Sequence, residues 1–586
     1  MLPLLLHMHQ PDYRDPVTGD PVLPWVRKHA LRGYRDVPWL LKKTGGRATI
    51  NLVPSLLDQI DHYANGGEDP LLRLLRTPVA ELPVSSQCVL ADAALLGSER
   101  RFGWFPAFAR LRDRTAETLG VAGRLDRIVW GELSWFGYSA RADYPAINAL
   151  IARGSGFTQA DLDRLVAIER EILRGLQALY RDLPEVSCSP YFHPILPLLV
   201  NTAHAQRNLP GVPDPGFAWP EDARAQLQEG RARVRAWTGA EVRGLWPSEG
   251  SVSPEVACMV RDLGFGWMAT DEEVLARSSA DADPGRPATF DGCTLVFRDH
   301  ALSDLIGFAY QDVDGEKAAA DLLRRSAGRS AVLALDGENP WEHYADAGLA
   351  FLTAVFRSGQ TATISDFVDR TPPQPIARLH TGSWINANFQ IWIGHEEDRL
   401  AWRLLAAARR AWDECGRPPE ARPHLHAAEG SDWFWWYGDE FSTPVADIFD
   451  ALFRAHVTAA WRAMGREPAP RLSQPIKAAQ VDTVDIGAIG VGDGWLAWQN
   501  ASILTVRAGA MARVGGPRRL WVGWRGGQLA VRARDAGGWA VATTGVPVDF
   551  VDGNATIEAG GELVLLAPDG SRAGSWPLHE PPRSVS

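Results

Sequence analysis

Glu249 stands in the segment GLWPSEG, between a tryptophan–proline pair and a glycine. A carboxylate in such stiff, apolar company suits a group that must be aimed, because Trp246 and Pro247 restrict its motion and exclude water. The apolar run before it places Glu249 just past the end of an expected strand. A second acidic pair follows another apolar run in LALDGENPWEHY, where Asp336 and Glu338 share a face if the strand continues. Two carboxyl groups astride one bond are what cleavage of a glycosidic linkage requires. In the retaining form one attacks the sugar carbon, while the other donates a proton and then activates water. Spacing alone leaves either Asp336 or Glu338 as the acid. Donation near neutral pH needs a raised pKa, from burial or from a like charge, and Glu338 beside Asp336 is a source of the latter. Glu255 needs no such role: Ser253 as N-cap and Pro254 at the first helical position make an acid there favourable to the helix dipole.

His7 and His9 alternate with Leu6 and Met8, so on a strand they point to the same side as Leu5. Such a pair binds zinc when a third ligand and an open position are present. The sequence sets no clear carboxylate or cysteine ligand beside them, so hydrogen bonds to sugar hydroxyls are the expectation, shared by His193 in YFHPILPLL. In EGSDWFWWYGDE, acids alternate with indoles. The tryptophans there read as core or as platforms for the CH face of a sugar, with Glu429, Asp432 and Trp433 as candidate contacts.

Elements must carry these groups to one place. Up to about residue 370, short apolar runs ending in polar residues alternate with helical patterns: LPLLLHMH, ATINLVPS, GLWPS, FGWMATD, TLVFRD and AVLALDGEN. That alternation predicts a parallel α/β architecture with its chemistry at the C-terminal ends of the strands. After Thr158, apolar residues at Leu162, Leu165, Ile168, Ile172, Leu176 and Leu179 predict a helix, with Thr158 and Asp161 as a capping box. From about Ile376 to Met464 the pattern is helical. Beyond Pro470 it turns to period-two alternation, and RLWVGWRGGQLAVRA predicts a hairpin in a small β-sandwich. The expected divisions are 1–375, 376–468 and 469–586.

Over 586 residues the net charge is −11, which disfavours a phosphate-backbone partner and excludes nucleic acid from the expected ligands. The 24 Trp outnumber the 10 Tyr and the 20 Phe, a bias that suits both core filling and sugar stacking. Five scattered cysteines without a CxxC pair read as reduced thiols. The apolar start lacks a basic lead and ends at His7, too short for a signal peptide or a membrane span; a cytoplasmic, membrane-free protein is expected.

The motifs together resemble glycoside hydrolase family 57, the α-glucan-active family. HQP at His9–Pro11 is similar to its first signature, YFHPILP to its second, GLWPSEG to the nucleophile region and LALDGENPW to the general-acid region. EGSDWFWW is similar to the C-terminal signature. RDHALSDLIGFAY, with Arg298, and GSWINANFQIWIGHEED look typical of the amylopullulanase-like or α-amylase-like branch. The resemblance covers roughly Leu2 to Met464. It implies an incomplete TIM-type (β/α)7 barrel, then an α-helical bundle region, with no cofactor and no obligatory metal. It places the nucleophile on Glu249 and the acid/base on Asp336, with Trp246 stacking beside the reacting sugar. Starch- or glycogen-type α-glucans cut at α-1,4 bonds, with α-1,6 bonds as an extension, are the implied substrates. The rivals are a 4-α-glucanotransferase or branching enzyme using the same pair, a non-catalytic α-glucan-binding protein, and a zinc-dependent mannosidase-like enzyme.

Overall fold

A computed structural model describes residues 1–477 apart from Asp439, Ser442 and Pro444, together with the backbone of short strands between 502 and 577. The large sheet is built from β1 (Leu2–Met8), β2 (Thr49–Leu52), β3 (Glu185–Cys188), β4 (Val242–Leu245), β5 (Trp267–Asp271), β6 (Ala288–Phe290), β7 (Cys293–Arg298) and β8 (Leu333–Asp336); six of these are the expected apolar runs, and β3 and β6 were not singled out in the sequence. Two-residue strands β9 (Thr361–Ala362) and β10 (Gln374–Pro375) add edges to β1 and β6. Along β8-β1-β2-β3-β4-β5-β7 every adjacent pair is parallel. A parallel bridge between Arg298 and Val332, with the Asp299 N–H donating to the Val332 carbonyl at 2.8 Å, links the last strand of this run back to the first. The chain is thus an α/β protein built on a parallel-rich sheet. The one antiparallel neighbour in that sheet is β6 against β7, a hairpin the sequence pattern did not separate from β7.

Inside the sheet, Leu5, Trp246, Trp267, Ala269, Val296, Val332 and Ala334 form a buried cluster with Ile364 and Phe367. The period of two along β1 then lifts His7 one layer above Leu5, and His9 beyond it. A long helical excursion separates β2 from β3 and buries its own core around Phe102, Phe108, Trp130, Leu133 and Leu165. Its longest helix, Gln159–Tyr180, starts on the expected capping box: Thr158 accepts from the Asp161 N–H, and Asp161 answers to the Thr158 N–H.

The chain divides into two compact units, residues 1–441 with 452–474, and residues 442–451 with 475–586. The second contains two four-stranded antiparallel sheets. In one of them Arg519–Arg525 pairs with Gln528–Ala533, the expected hairpin; Gly526-Gly527 themselves lie outside the described residues. Among the described residues no helix is long and apolar enough to cross a membrane.

Candidate active site

The loop after β4 turns sharply at Glu249, whose φ of 57° and ψ of 26° are left-handed. A non-glycine residue is held there only where its surroundings over-determine it. Here Glu249 is fastened at both ends. Its carbonyl accepts from the Trp384 N–H at 2.9 Å, and its Oε2 accepts from the Trp384 indole Nε1 at 2.7 Å. The adjoining residues are tied as well, Gly250 by the Thr270 hydroxyl at 2.7 Å and Val252 by an antiparallel bridge to Gly382.

Asp336 ends β8, with its backbone in register with His7. Asn339 Nδ2 donates to its Oδ2 at 3.0 Å. Burial pushes the Asp336 carboxyl up, while the Asn339 hydrogen bond and the nearby His9 and Arg298 pull it back. Burial pushes Glu249 up to about 8; the Trp384 N–H opposes this, and the charges of Asp336 and Asp432 add to it. The charge of Asp336 thus reaches Glu249 and favours its protonated form.

Three histidines stack over this pair. Ring centroids are 4.0 Å apart for His9 and His193 and 5.1 Å for His7 and His193. His193 also has a left-handed backbone, with φ of 58°, and its Nδ1 lies 3.1 Å from Ser431 Oγ and 4.0 Å from Glu249 Oε1. Burial and the neighbouring His9 hold His7 down to about 3, so it is neutral and its Nδ1–H donates to Asn51 Oδ1 at 2.6 Å. Its Nε2 is left as an acceptor. His9 Nε2 meets Asp432 Oδ1 at 2.8 Å. His9, His193 and Asp432 form one group with metal-ligand spacing, and the fully buried Asp222, His426 and Glu429 form another.

Glu249, Asp336, His7, His9, His193 and Asp432 thus lie in one region of the structure. Other expected contacts sit elsewhere. Trp246 is 2 % exposed and packs edge-on against Trp384, so it walls the site from beneath and does not face a sugar. The Arg298 guanidinium is occupied below the site by the Ala334 carbonyl at 2.9 Å, Asp271 at 3.4 Å and Asp304 at 2.5 Å, with Trp384 stacked 5.2 Å from it. Glu429 is fully buried and takes the Gln226 amide at 2.7 Å, while Trp433 is buried and donates to the Ala427 carbonyl. Both brace the turn that carries Ser431 and Asp432. The expected like charge of Glu338 is not among the causes that raise Asp336; burial and the charge of Asp336 push the Glu338 carboxyl itself well above the ordinary range.

Sequence reading missed Trp384. It sits in the quoted stretch GSWINANFQ, but nothing in that pattern says that an indole 135 residues downstream reaches the Glu249 carboxylate.

The model of glycosyl hydrolase family 57 matches residues 3–380. The chain belongs to that family. Two solved structures share the fold. One is a branching enzyme of this family from Pyrococcus horikoshii, at 16% identity and a TM-score of 0.52, with 78% of this chain and 88% of that one covered. The other is the α-amylase AmyC from Thermotoga maritima, at 12% identity and a TM-score of 0.50, covering 79% and 92%. No curated protein matches the chain.

Proposed function

We propose that this family 57 member is a retaining enzyme acting on starch- or glycogen-type α-glucans, with Glu249 as nucleophile and Asp336 as general acid/base. The observation that supports it most is the strained, doubly held Glu249, within range of the Asp336 charge at the same strand ends. In this reading residues 1–375 form an incomplete seven-strand barrel. Residues 376–468 form the helical region that completes the site, and 469–586 a β-rich domain.

For attack, Glu249 must be ionised and Asp336 must carry a proton. Positive charge developing at the sugar carbon favours the Glu249 carboxylate, and the Trp384 N–H steadies that anion. Asp336 then protonates the departing oxygen and, once relieved of its proton, activates the acceptor. Neutral His7 offers its Nε2 to a sugar hydroxyl, and the His9–Asp432 pair does the same at the edge of the site.

The reaction is hydrolysis of α-1,4 bonds, extending to α-1,6 bonds, when water is the acceptor. With a sugar hydroxyl in its place the same pair performs glucan transfer or branching. Incubation with maltooligosaccharides, amylopectin and pullulan, with products resolved by length and linkage, separates these outcomes: shorter products alone mean hydrolysis, and a ladder of longer ones means transfer. Glu249→Gln and Asp336→Asn are expected to abolish either reaction. Near-wild-type turnover in one variant removes that residue from its role.

A further inference from the structure

Three helices, Pro220–Thr238, Glu396–Glu414 and Arg422–Ala428, bring a second cluster of acids to the turn that carries Ser431 and Asp432. Glu429 follows the last of these helices and is wholly buried; Asp222, in the first turn of the first, is 3 % exposed. One oxygen of each carboxyl and a ring nitrogen of His426 all lie within 4.8 Å of one another.

The donors around this group are all engaged. Gln226 Nε2 gives one hydrogen to Glu429 Oε2 at 2.7 Å and the other to the His426 carbonyl at 3.1 Å. Arg409 donates from Nε and Nη2 to the two oxygens of Asp222, at 2.6 and 3.0 Å. The same guanidinium also serves Asp413 at 2.6 Å and Glu221 at 3.3 Å. Arg417 bonds Asp413 and Glu221, and Arg422 bonds Glu229. His426 is held down to about 3, by burial first and then by the charges of Arg422 and Arg409, so it is neutral. Among the described residues no donor reaches Glu429 Oε1.

Glu429 and Asp222 nonetheless lie within hydrogen-bonding range of each other. Two carboxylates in that position repel, and a bond between them needs a proton. Charge favours the same answer. Glu221 and Asp413 reach solvent, so the buried balance is Asp222 and Glu429 against Arg409. One proton cancels the excess negative charge. A divalent cation overshoots it, and must also displace Arg409 from both oxygens of Asp222. Burial and the charge of Asp222 push the Glu429 carboxyl well above the ordinary range, against the pull of Gln226.

We infer that Glu429 keeps its proton and donates it in a hydrogen bond to Asp222, and that this bond makes Glu429 a positioning residue for the histidines of the candidate site. The helix that carries Asp222 already holds the loop before His193: the Gln226 carbonyl accepts from the Tyr191 N–H at 3.1 Å, and its Oε1 accepts from the Phe192 N–H at 3.0 Å. Glu429 fastens to that same helix the turn whose Ser431 N–H donates to the His193 carbonyl at 3.0 Å and whose Asp432 meets His9 at 2.8 Å. The proton thus joins the two segments that set His193 against His9. The positioning role rests on the α-glucan reading, whereas the proton stands apart from it.

Infrared spectroscopy of the full chain at neutral pH, comparing wild type with Glu429→Gln, tests the proton. The difference should contain the carbonyl stretch of an un-ionised carboxyl. Carboxylate bands in its place, or a stoichiometric metal in wild type that the variant loses, overturn the proposal. Turnover of maltooligosaccharides tests the positioning. Glu429→Gln keeps a donor for Asp222 and an acceptor for Gln226, so its kcat/KM should stay within about twofold of wild type, whereas Glu429→Leu should lose roughly tenfold or more. Wild-type kcat/KM in a folded Glu429→Leu removes the role. If Glu429→Leu fails to fold, Glu429→Gln carries the test: retained turnover supports the role and a tenfold loss overturns it. Should wild type leave every α-glucan untouched, the proposed function falls, and the infrared difference still decides the proton.

Discussion

At the scale of single residues, the Trp384–Glu249 contact is where chemistry and structure meet. Its N–H stabilises the charged form of a carboxyl that burial would otherwise keep protonated. Trp384→Phe keeps the ring and removes the donor, so the Glu249 pKa moves higher still. The limb of kcat/KM that rises as the nucleophile ionises should then shift to higher pH. A hydrogen bond to a charged group is worth about 1.5–3 kcal/mol, so the rate should fall on the order of tenfold to a hundredfold. An unshifted limb would detach Trp384 from the nucleophile. Glu338 makes the opposite case. Its carboxyl is pushed well above the ordinary range by burial and by the charge of Asp336, so Glu338→Gln should leave the alkaline limb governed by Asp336 where it is. A clear downward move of that limb would restore Glu338 as a source of charge.

At the scale of elements, the site depends on how closely two loops approach. Gly33 opens the helix Gly33–Thr44 directly against the backbone of Glu338 and Gly337, where a Cβ would come within 2.7 Å of a main-chain carbon. Gly33→Ala therefore has to displace the loop that carries the candidate acid. We expect a loss of about 1–3 kcal/mol in denaturant unfolding, with a parallel fall in kcat. Full stability in this variant would show the approach to be looser than described. This contact was invisible in the sequence, whereas the elements it joins were not. Leu2–Met8 and Leu333–Asp336 are apolar runs of strand length, and Leu162 to Leu176 repeat at helical spacing behind a reciprocal cap, so local pattern sufficed. His7 and His9 share a side because a strand alternates. Trp246, Arg298, Glu429 and Trp433 were placed in the right region but on the wrong side of the wall. Composition tells that an indole or guanidinium is near a site, while only packing tells which face it turns inward.

At the scale of the whole molecule, holding a carboxyl at about 8 costs stability. The ordinary glutamate value is 4.5, so between about 4.5 and 8 the native state binds more protons than the unfolded chain, and stability falls as pH rises through that window. Glu249→Gln removes the titration and keeps an acceptor for the indole. Wild type and variant should unfold alike below about pH 4.5, and the variant should be more stable at pH 8 and above by a few kcal/mol. Equal midpoints across the range would mean that the carboxyl is ionised at no cost.

The position of Trp384 in the chain has a practical meaning. Every strand of the large sheet and both candidate catalytic carboxyls precede residue 376, and the family match ends at 380. A truncation drawn at that boundary would retain the sheet and both acids. It would nonetheless strip away the indole that grips Glu249, together with Ser431 behind His193 and Asp432 behind His9. The smallest working catalyst is therefore longer than the segment that looks like one.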